Sequence, residues 1–509
     1  MEYVIEMNHI TKEFGNFKAL DDVTLKVKKG EVHALLGENG AGKSTLMSIL
    51  FGLYQAEKGE IKIAGEAAKI NNPNDANRFK IGMVHQHFKL VHNFTVLESI
   101  VLGRETVKTG FLSMSEARKK IVSLSEKYKL KIDPDAYIAD ITVGMQQRVE
   151  ILKMLYLDND ILIFDEPTAV LTPQEIDELM TIMKNLVDEG KSIIFITHKL
   201  NEIKTVANRC TVLRKGKYIG TIEVATATKE EMSEMMVGRK VNLELEKEES
   251  IVGDVVLEVK GLTVKSKTSN KNIVHDVSFQ ARKGEIVCIA GIDGNGQSEL
   301  VHGITGLAPI SSGEVILNGK NITKDSIRNK TLQGMAHIPE DRHKHGLVLD
   351  YDVKQNAVLQ SYFDKRFQNK GFIKFNEVKE YAKNLIEQYD IRSGQGEDSI
   401  TRDMSGGNQQ KVIIARELDR NPDIVLAVQP TRGLDVGAIE YIHRQLVNQR
   451  DNGKAVLLVS LELDEVMKVS DRILVMYEGE IVADLDPKGL SVQELGLYMA
   501  GSKRSVNHE

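Results

Sequence analysis

Apolar residues fall into two recurring textures along the chain. Short runs rich in β-branched residues, EVHALL (31–36), DILIFD (160–165) and SIIFIT (192–197), read as strands buried on both faces. They alternate with segments of helical spacing such as STLMSIL (44–50). Strand–helix alternation of this kind predicts an α/β fold with a largely parallel core sheet. The second texture sits midway through each half. Ala117, Ile121, Leu124 and Tyr128 recur at helical spacing, as do Phe375, Val378, Ala382, Leu385 and Tyr389. These stripes predict core faces of a helical subdomain rather than a partner-binding groove.

The whole pattern occurs twice. GEVHALLG (30–37) returns 254 residues later as GEIVCIAG (284–291), and LDDVTLKVKK (20–29) as VHDVSFQARK (274–283). GMQQRVEILK (144–153) returns 263 residues later as GNQQKVIIAR (407–416), and that spacing persists to MVGR (236–239) and MAGS (499–502). The halves therefore differ by a modest insertion in their middles. Residues 1–240 and 255–502 are expected to form two like domains, with the charged stretch 241–254 as linker and 503–509 as tail. The run LEKEE (245–249) reads as a solvated part of that linker.

Composition narrows the function. Lys and Arg number 67 against 73 Asp and Glu, a net charge of -6, which argues against a protein that coats nucleic acid. Two cysteines, Cys210 and Cys288, cannot build a disulfide framework or a four-cysteine zinc site, and their apolar surroundings predict burial. The opening MEYVIEMNHITKEF has no basic-then-apolar leader pattern, and no apolar run reaches the length of about 18 residues that spans a bilayer. The expectation is a soluble cytosolic chain whose membrane role, if any, comes through a partner.

The chemistry begins at Gly37-Glu38-Asn39-Gly40-Ala41-Gly42-Lys43-Ser44, followed by Thr45, which fits G-x-x-x-x-G-K-[ST] between an apolar strand and a helix. Glycines let backbone N–H groups turn toward phosphate oxygens, and the helix N-terminus adds positive dipole. Lys43 supplies a charge for the β- and γ-phosphates, and the Ser44 hydroxyl a ligand for Mg²⁺. Downstream, ILIFDE (161–166) is an apolar strand ending in two carboxylates. Asp165 is expected to hold Mg²⁺, and Glu166 to orient and deprotonate an attacking water. FITH (195–198) ends another apolar strand and offers His198 to the γ-phosphate. His85, His87 and His92 are expected to be solvated loop histidines rather than a metal site.

With these residues in hand, the chain resembles the ATP-binding cassette (ABC) ATPases over nearly its whole length. Met404-Ser405-Gly406-Gly407-Asn408-Gln409-Gln410 is similar to that family's signature motif. The resemblance implies two tandem P-loop cassettes, each with a mainly parallel core sheet, an antiparallel β subdomain and a helical subdomain. It implies ATP and Mg²⁺ as cofactors. It also implies head-to-tail cassettes, with each ATP between one cradle and the other cassette's signature helix. Under it Gln86 matches the loop glutamine that contacts Mg²⁺ and water, and Phe14 the aromatic that stacks on adenine. His198 matches the switch histidine, and Asp435 the aspartate that approaches the opposite cradle.

The two halves are degraded in complementary places. The second cradle, GIDGNGQS (291–298), has Gln297 for Lys43. Val428 and Gln429 stand for Asp165 and Glu166, Ser460 and Leu461 for Thr197 and His198, and Glu340 for Gln86. No aromatic equivalent of Phe14 occurs between Leu257 and Ser278. Phosphoryl transfer is not expected there, although the glycine loop and helix dipole that bind nucleotide survive. The first signature, ITVGM (141–145), has Val143 and Met145 at family Gly and Gln places, and Thr172 where the second half has Asp435. Head-to-tail pairing therefore collects Lys43, Ser405, Gly406, Gly407 and Asp435 into one site and the degraded parts into the other.

Twin cassettes without a membrane span imply the ATPase subunit of an importer. The implied partners are two membrane permease subunits and a solute-binding lipoprotein, with no nucleic acid, at the cytoplasmic face of the membrane. VQPTRGLDVGA (428–438) and VGMQQRVEILK (143–153) look most like the nucleoside-importing branch, while PEDRH (339–343) is shared with simple-sugar importers, so monosaccharide uptake is the alternative. A ribosome-associated twin-cassette ATPase is a further alternative. A short acidic linker and one degraded site count against it.

Overall fold

The computed structural model describes residues 2–15, 17–84, 89–105, 107–108, 111–168, 171, 173–240, 245, 247–266 and 271–505. The chain divides into two compact units, Met1–Asn242 and Leu243–Glu509.

In the first unit the apolar runs form the centre of a six-stranded sheet. Its order is Lys217–Glu223, Arg209–Arg214, Val32–Leu36, Ser192–Ile196, Ile161–Asp165, Ile81–Val84, parallel except at the Lys217–Glu223 edge. Every residue of Val32–Leu36, Ile161–Asp165 and Ser192–Ile196 is buried, as expected of strands covered on both faces. A four-stranded antiparallel sheet, ordered Phe17–Lys28, Tyr3–Phe14, Lys58–Ile63, Glu66–Ala67, covers the cradle side. Its Ile5, Met7, Leu20 and Leu25 share one core with Leu46 and Leu50 of the helix Lys43–Leu50. The expected helical subdomain comprises Val96–Val101, Met114–Lys127 and Val143–Tyr156, with Ala117, Ile121 and Tyr128 buried and Leu124 packed half-buried on the same core.

The second unit repeats this plan. Its six-stranded sheet runs Met335–Ile338, Ile424–Val428, Ala455–Ser460, Ile286–Ala290, Arg472–Tyr477, Glu480–Leu485, and its antiparallel sheet contains Asn272–Arg282, Val255–Lys265, Ile310–Leu317 and Lys320–Asn321. Cys210 and Cys288 are free and buried in the two sheets, and burial pushes both thiols up to about 12, so neither is a reactive thiolate.

Two local expectations differ from the structure. Phe375 is not a core residue: it begins the helix Phe375–Gln388 and is 73% exposed, whereas Val378, Ala382 and Leu385 of the same stripe are buried. Side chains tilt toward a helix N-terminus, so the first residue of a stripe can project past the packed surface. Within the LEKEE run Glu248 and Glu249 are exposed, as a solvated stretch requires, but Lys247 is anchored. Lys247 Nζ lies 2.8 Å from Asp471 Oδ1 and donates to the Val469 and Ser470 carbonyls, while Ser250 Oγ donates to the Gly284 carbonyl.

Asp471 is the hub of that anchorage. It accepts from Arg450 Nη1 at 3.0 Å and from the Ile286 N–H at 2.9 Å, and the Arg450 side chain is 1% exposed. Without Asp471, Arg450 keeps Asp451 and the Glu248 carbonyl, so the cost is that of losing hydrogen bonds to a charged group, about 1.5–3 kcal/mol. Asp471→Ala is therefore expected to lower the stability of the second unit by about 2 kcal/mol in denaturant unfolding of the full chain; a loss under about 1 kcal/mol would contradict this role.

Candidate nucleotide-binding site

Three buried strands of the first unit end side by side, with Ile196 in register with both Asp165 and Leu35. Each passes into a loop bearing expected site residues. After Val32–Leu36 the chain enters the glycine loop, where Gly40 and Gly42 adopt φ of +79° and +98°. A side chain at Gly42 is excluded twice, because its Cβ would lie 2.6 Å from Leu20 Cδ2 and 2.9 Å from the Ala19 carbonyl. Glu38 is half-buried and Asn39 exposed, Ala41 is buried, and Thr45 lies half-buried in the first turn of the helix.

Lys43 is 5% exposed, and its ammonium donates to the carbonyls of Gly37 at 2.7 Å and Glu38 at 3.0 Å. Burial lowers its pKa, against the pull of Glu166, Asp165 and Glu38. Asp165, also 5% exposed, is pushed up to about 6 by burial and by the adjacent Glu166 charge, with Ser44 hydrogen bonding in the opposite sense. Its Oδ1 is buried with no hydrogen-bond partner. An orphaned carboxylate oxygen beside an exposed serine hydroxyl is a donor set suited to Mg²⁺, which takes one or two protein oxygens and completes its shell with phosphates and water.

Glu166 sits just past the strand with φ +47°, its N–H donating to the Ile196 carbonyl at 3.0 Å. Its Oε1 lies 3.2 Å from His198 Nδ1. Burial works against its charged form, but His198, Lys43 and Lys199 outweigh burial and hold the carboxyl below its ordinary value. The structure thus brings Lys43, Ser44, Asp165, Glu166 and His198 together at one end of one sheet. A buried brace missed by sequence reading lies behind them. Thr197 Oγ1 donates to Glu202 Oε2 at 2.9 Å and accepts from the Lys199 N–H at 3.0 Å, fixing the turn that carries His198.

Phe14 ends the strand Tyr3–Phe14 and is 43% exposed. It packs edge-on against Tyr54, with centroids 5.2 Å apart, and Lys12 Nζ lies 5.2 Å from its ring. Tyr54 follows the Lys43 helix and gave no signal in sequence. Gln86, His85, His87 and Thr172 lie outside the described residues; His92 is exposed, and the described residues contain no metal-holding group of three or more His, Cys, Asp or Glu.

In the second unit Ser405 is the N-cap of the helix Gly406–Leu418 and Asp435 that of Val436–Asp451. The two caps are neighbours: a Cβ at Gly407 would be 3.5 Å from Asp435 Oδ2. The second glycine loop keeps the backbone of the first, with Gly294 and Gly296 at φ +90° and +99°. Gln297 Nε2 donates to the Ile292 carbonyl, copying the Lys43–Glu38 contact without its charge. Gln429 keeps the left-handed φ, +43°, of Glu166, but an amide there accepts no proton.

Residues 20–169 and 274–432 both match the ABC transporter family. The chain belongs to that family. It is 56% identical over 502 residues to the guanosine import ATP-binding protein NupO of Bacillus subtilis (strain 168), covering 99% of this chain and 98% of NupO. It is 54% identical over 500 residues to the nucleoside import ATP-binding protein NupA of Lactococcus lactis subsp. cremoris (strain MG1363), covering 98% of each. Against the glucose import ATP-binding protein TsgD13 of Haloferax volcanii (strain ATCC 29605) identity falls to 42% over 531 residues, covering 98% of this chain and 96% of TsgD13. As an ABC ATPase the protein hydrolyses ATP with Mg²⁺. No helix among the described residues is long and apolar enough to cross a membrane.

The raised pKa of Asp165 sets a pH dependence. An Mg²⁺ held by this donor set would need the ionised carboxylate, so protons would compete with it at and below about pH 6. The Mg²⁺ concentration giving half-maximal hydrolysis is expected to stay flat at neutral and higher pH. It should rise by about tenfold per unit below pH 6; a requirement constant down to pH 5 would contradict it.

Proposed function

We propose that this protein is the ATP-hydrolysing subunit of an importer that takes up nucleosides through two separate membrane permease subunits fed by a solute-binding lipoprotein. It would act at the cytoplasmic face of the membrane and touch the bilayer only through the permeases. The observation that carries the solute class is near-full-length likeness to NupO and NupA, well above that to TsgD13. Uptake of labelled nucleosides and monosaccharides by cells lacking this chain tests the reading. Loss of nucleoside uptake alone is expected; loss of sugar uptake alone would overturn it. Sedimentation with ribosomes rather than with membrane permeases would overturn the importer reading altogether.

We propose these roles for the site. The glycine loop, Lys43 and Thr45 bind the phosphates, while Ser44, Asp165 and Gln86 hold Mg²⁺, which shields phosphate charge when bound. Glu166 takes the proton of the attacking water and His198 keeps that carboxylate oriented, as their 3.2 Å contact supports. Phe14 supports the adenine. Hydrolysis at this cradle further depends on Ser405, Gly406, Gly407 and Asp435, the intact signature and capping groups of the other cassette.

Two substitutions test these roles. Glu166→Gln should lower turnover by at least about a hundredfold while ATP binding is retained; hydrolysis at the normal rate would refute the base. Ser405→Ala should lower kcat by about tenfold or more, although it lies 362 positions from Lys43; an unchanged rate would contradict dependence on the second signature.

A further inference from the structure

The helix Val143–Tyr156 buries a carboxylate that the fold does not require. Glu150 is 4% exposed, and burial raises its pKa against the pull of Lys153 and Lys89. A charge kept there is kept at a cost. The counterpart helix of the second unit, Gly406–Leu418, carries Ile413 at the same place, fully buried in an apolar core.

The carboxylate holds a loop. Glu150 Oε1 accepts the Lys89 N–H at 2.8 Å, from 61 positions away. Lys89 comes three residues after Gln86. Two residues before Gln86, Val84 ends the edge strand Ile81–Val84, opposite Phe164 and one place short of Asp165. The stretch that carries Gln86 thus leaves the core sheet at Val84 and is caught at Lys89 by the helix that begins at the first signature.

The second unit satisfies the corresponding N–H from within the loop. Met335–Ile338 pairs with Ile424–Val428 in the register that Ile81–Val84 keeps with Ile161–Asp165, so the fifth residue past the edge strand is Lys89 in one unit and His343 in the other. The His343 N–H donates to Asp341 Oδ1 at 3.0 Å. In sequence His87 stands at the place of Asp341. Ile413 packs toward Gly346, where a Cβ would lie 2.5 Å from Ile413 Cδ1, and the His343 ring meets Gln409 at 3.0 Å. Both units therefore give this N–H a carboxylate. Only beside Lys43, Asp165 and Glu166 does that carboxylate come from the helical subdomain.

We propose that Glu150 is a positioning residue for hydrolysis: by holding the Lys89 N–H it fixes the return of the stretch that bears Gln86, and so the place at which Gln86 acts. The inference rests on the role proposed above for Gln86.

Four full-length variants test it: Glu150→Ile, Glu150→Gln, Gln86→Ala, and Gln86→Ala with Glu150→Ile. Isoleucine occupies this place in the second unit, Lys89 is exposed enough for water to take up its N–H, and replacing a buried charge by an apolar residue is commonly neutral or stabilising. Glu150→Ile should therefore unfold no earlier than the wild-type chain. It should still lower kcat by about tenfold with KM for ATP changed by less than about twofold, and amide hydrogen exchange over 84–90 should quicken. Glu150→Gln keeps an oxygen that accepts the N–H, so its kcat should stay within about twofold of wild type and its exchange should stay slow. In the Gln86→Ala chain, adding Glu150→Ile should lower the residual kcat no further. A wild-type kcat in Glu150→Ile, a loss of stability that accompanies its loss of rate, glutamine as damaging as isoleucine, or a full tenfold loss added to Gln86→Ala would each overturn the proposal. Failure of the Gln86 reading would look different: Gln86→Ala would itself hydrolyse ATP at the wild-type rate.

Discussion

A buried knot of charge of both signs at the end of a dry parallel sheet is the constraint on which the first cassette depends. Lys43 and Asp165 are each 5% exposed and Glu166 adjoins them, so both signs of charge are held out of water. Burial depresses the lysine, lifts Asp165 to about 6 and leaves one carboxylate oxygen without a partner. Such a cluster is costly in an empty protein and is relieved by a ligand of the right charge. The fold supplies the rigidity to bear it: strands buried on both faces, a glycine loop closed to side chains at Gly42, and a Thr197–Glu202 brace beneath His198.

The second cassette keeps the scaffold and discards the knot. Its loop glycines and its residue after the strand hold the same left-handed backbone, while Lys43, Asp165 and Glu166 give way to Gln297, Val428 and Gln429. Backbone that binds phosphate has been retained where side chains that break it have been lost. Ser298 donates to Glu340, which Arg432 also pairs, so the carboxylate there is fully engaged within the unit.

Much of this was legible in the chain. The glycine loop, the ILIFDE strand and the duplicated spacing located the cassettes, because fully buried strands and phosphate loops leave contiguous signatures. The hidden parts are those that depend on lateral neighbours. Glu340 meets Ser298 across adjoining loops, a contact that position-by-position comparison of the halves does not report. Tyr54 against Phe14 and Lys247 against Asp471 join segments whose local composition says nothing of contact. Phe375 was misread because periodicity reports a face and not where along a helix the packing begins.

The most direct test of the central claim is the fate of bound nucleotide in one turnover. Full-length protein loaded with labelled ATP and Mg²⁺, freed of excess nucleotide and quenched after one cycle, is analysed for ADP and ATP per chain. One cleaving and one retaining cradle predict one ADP and one intact ATP. Two ADP per chain, or cleavage that persists in Lys43→Ala, would contradict the account.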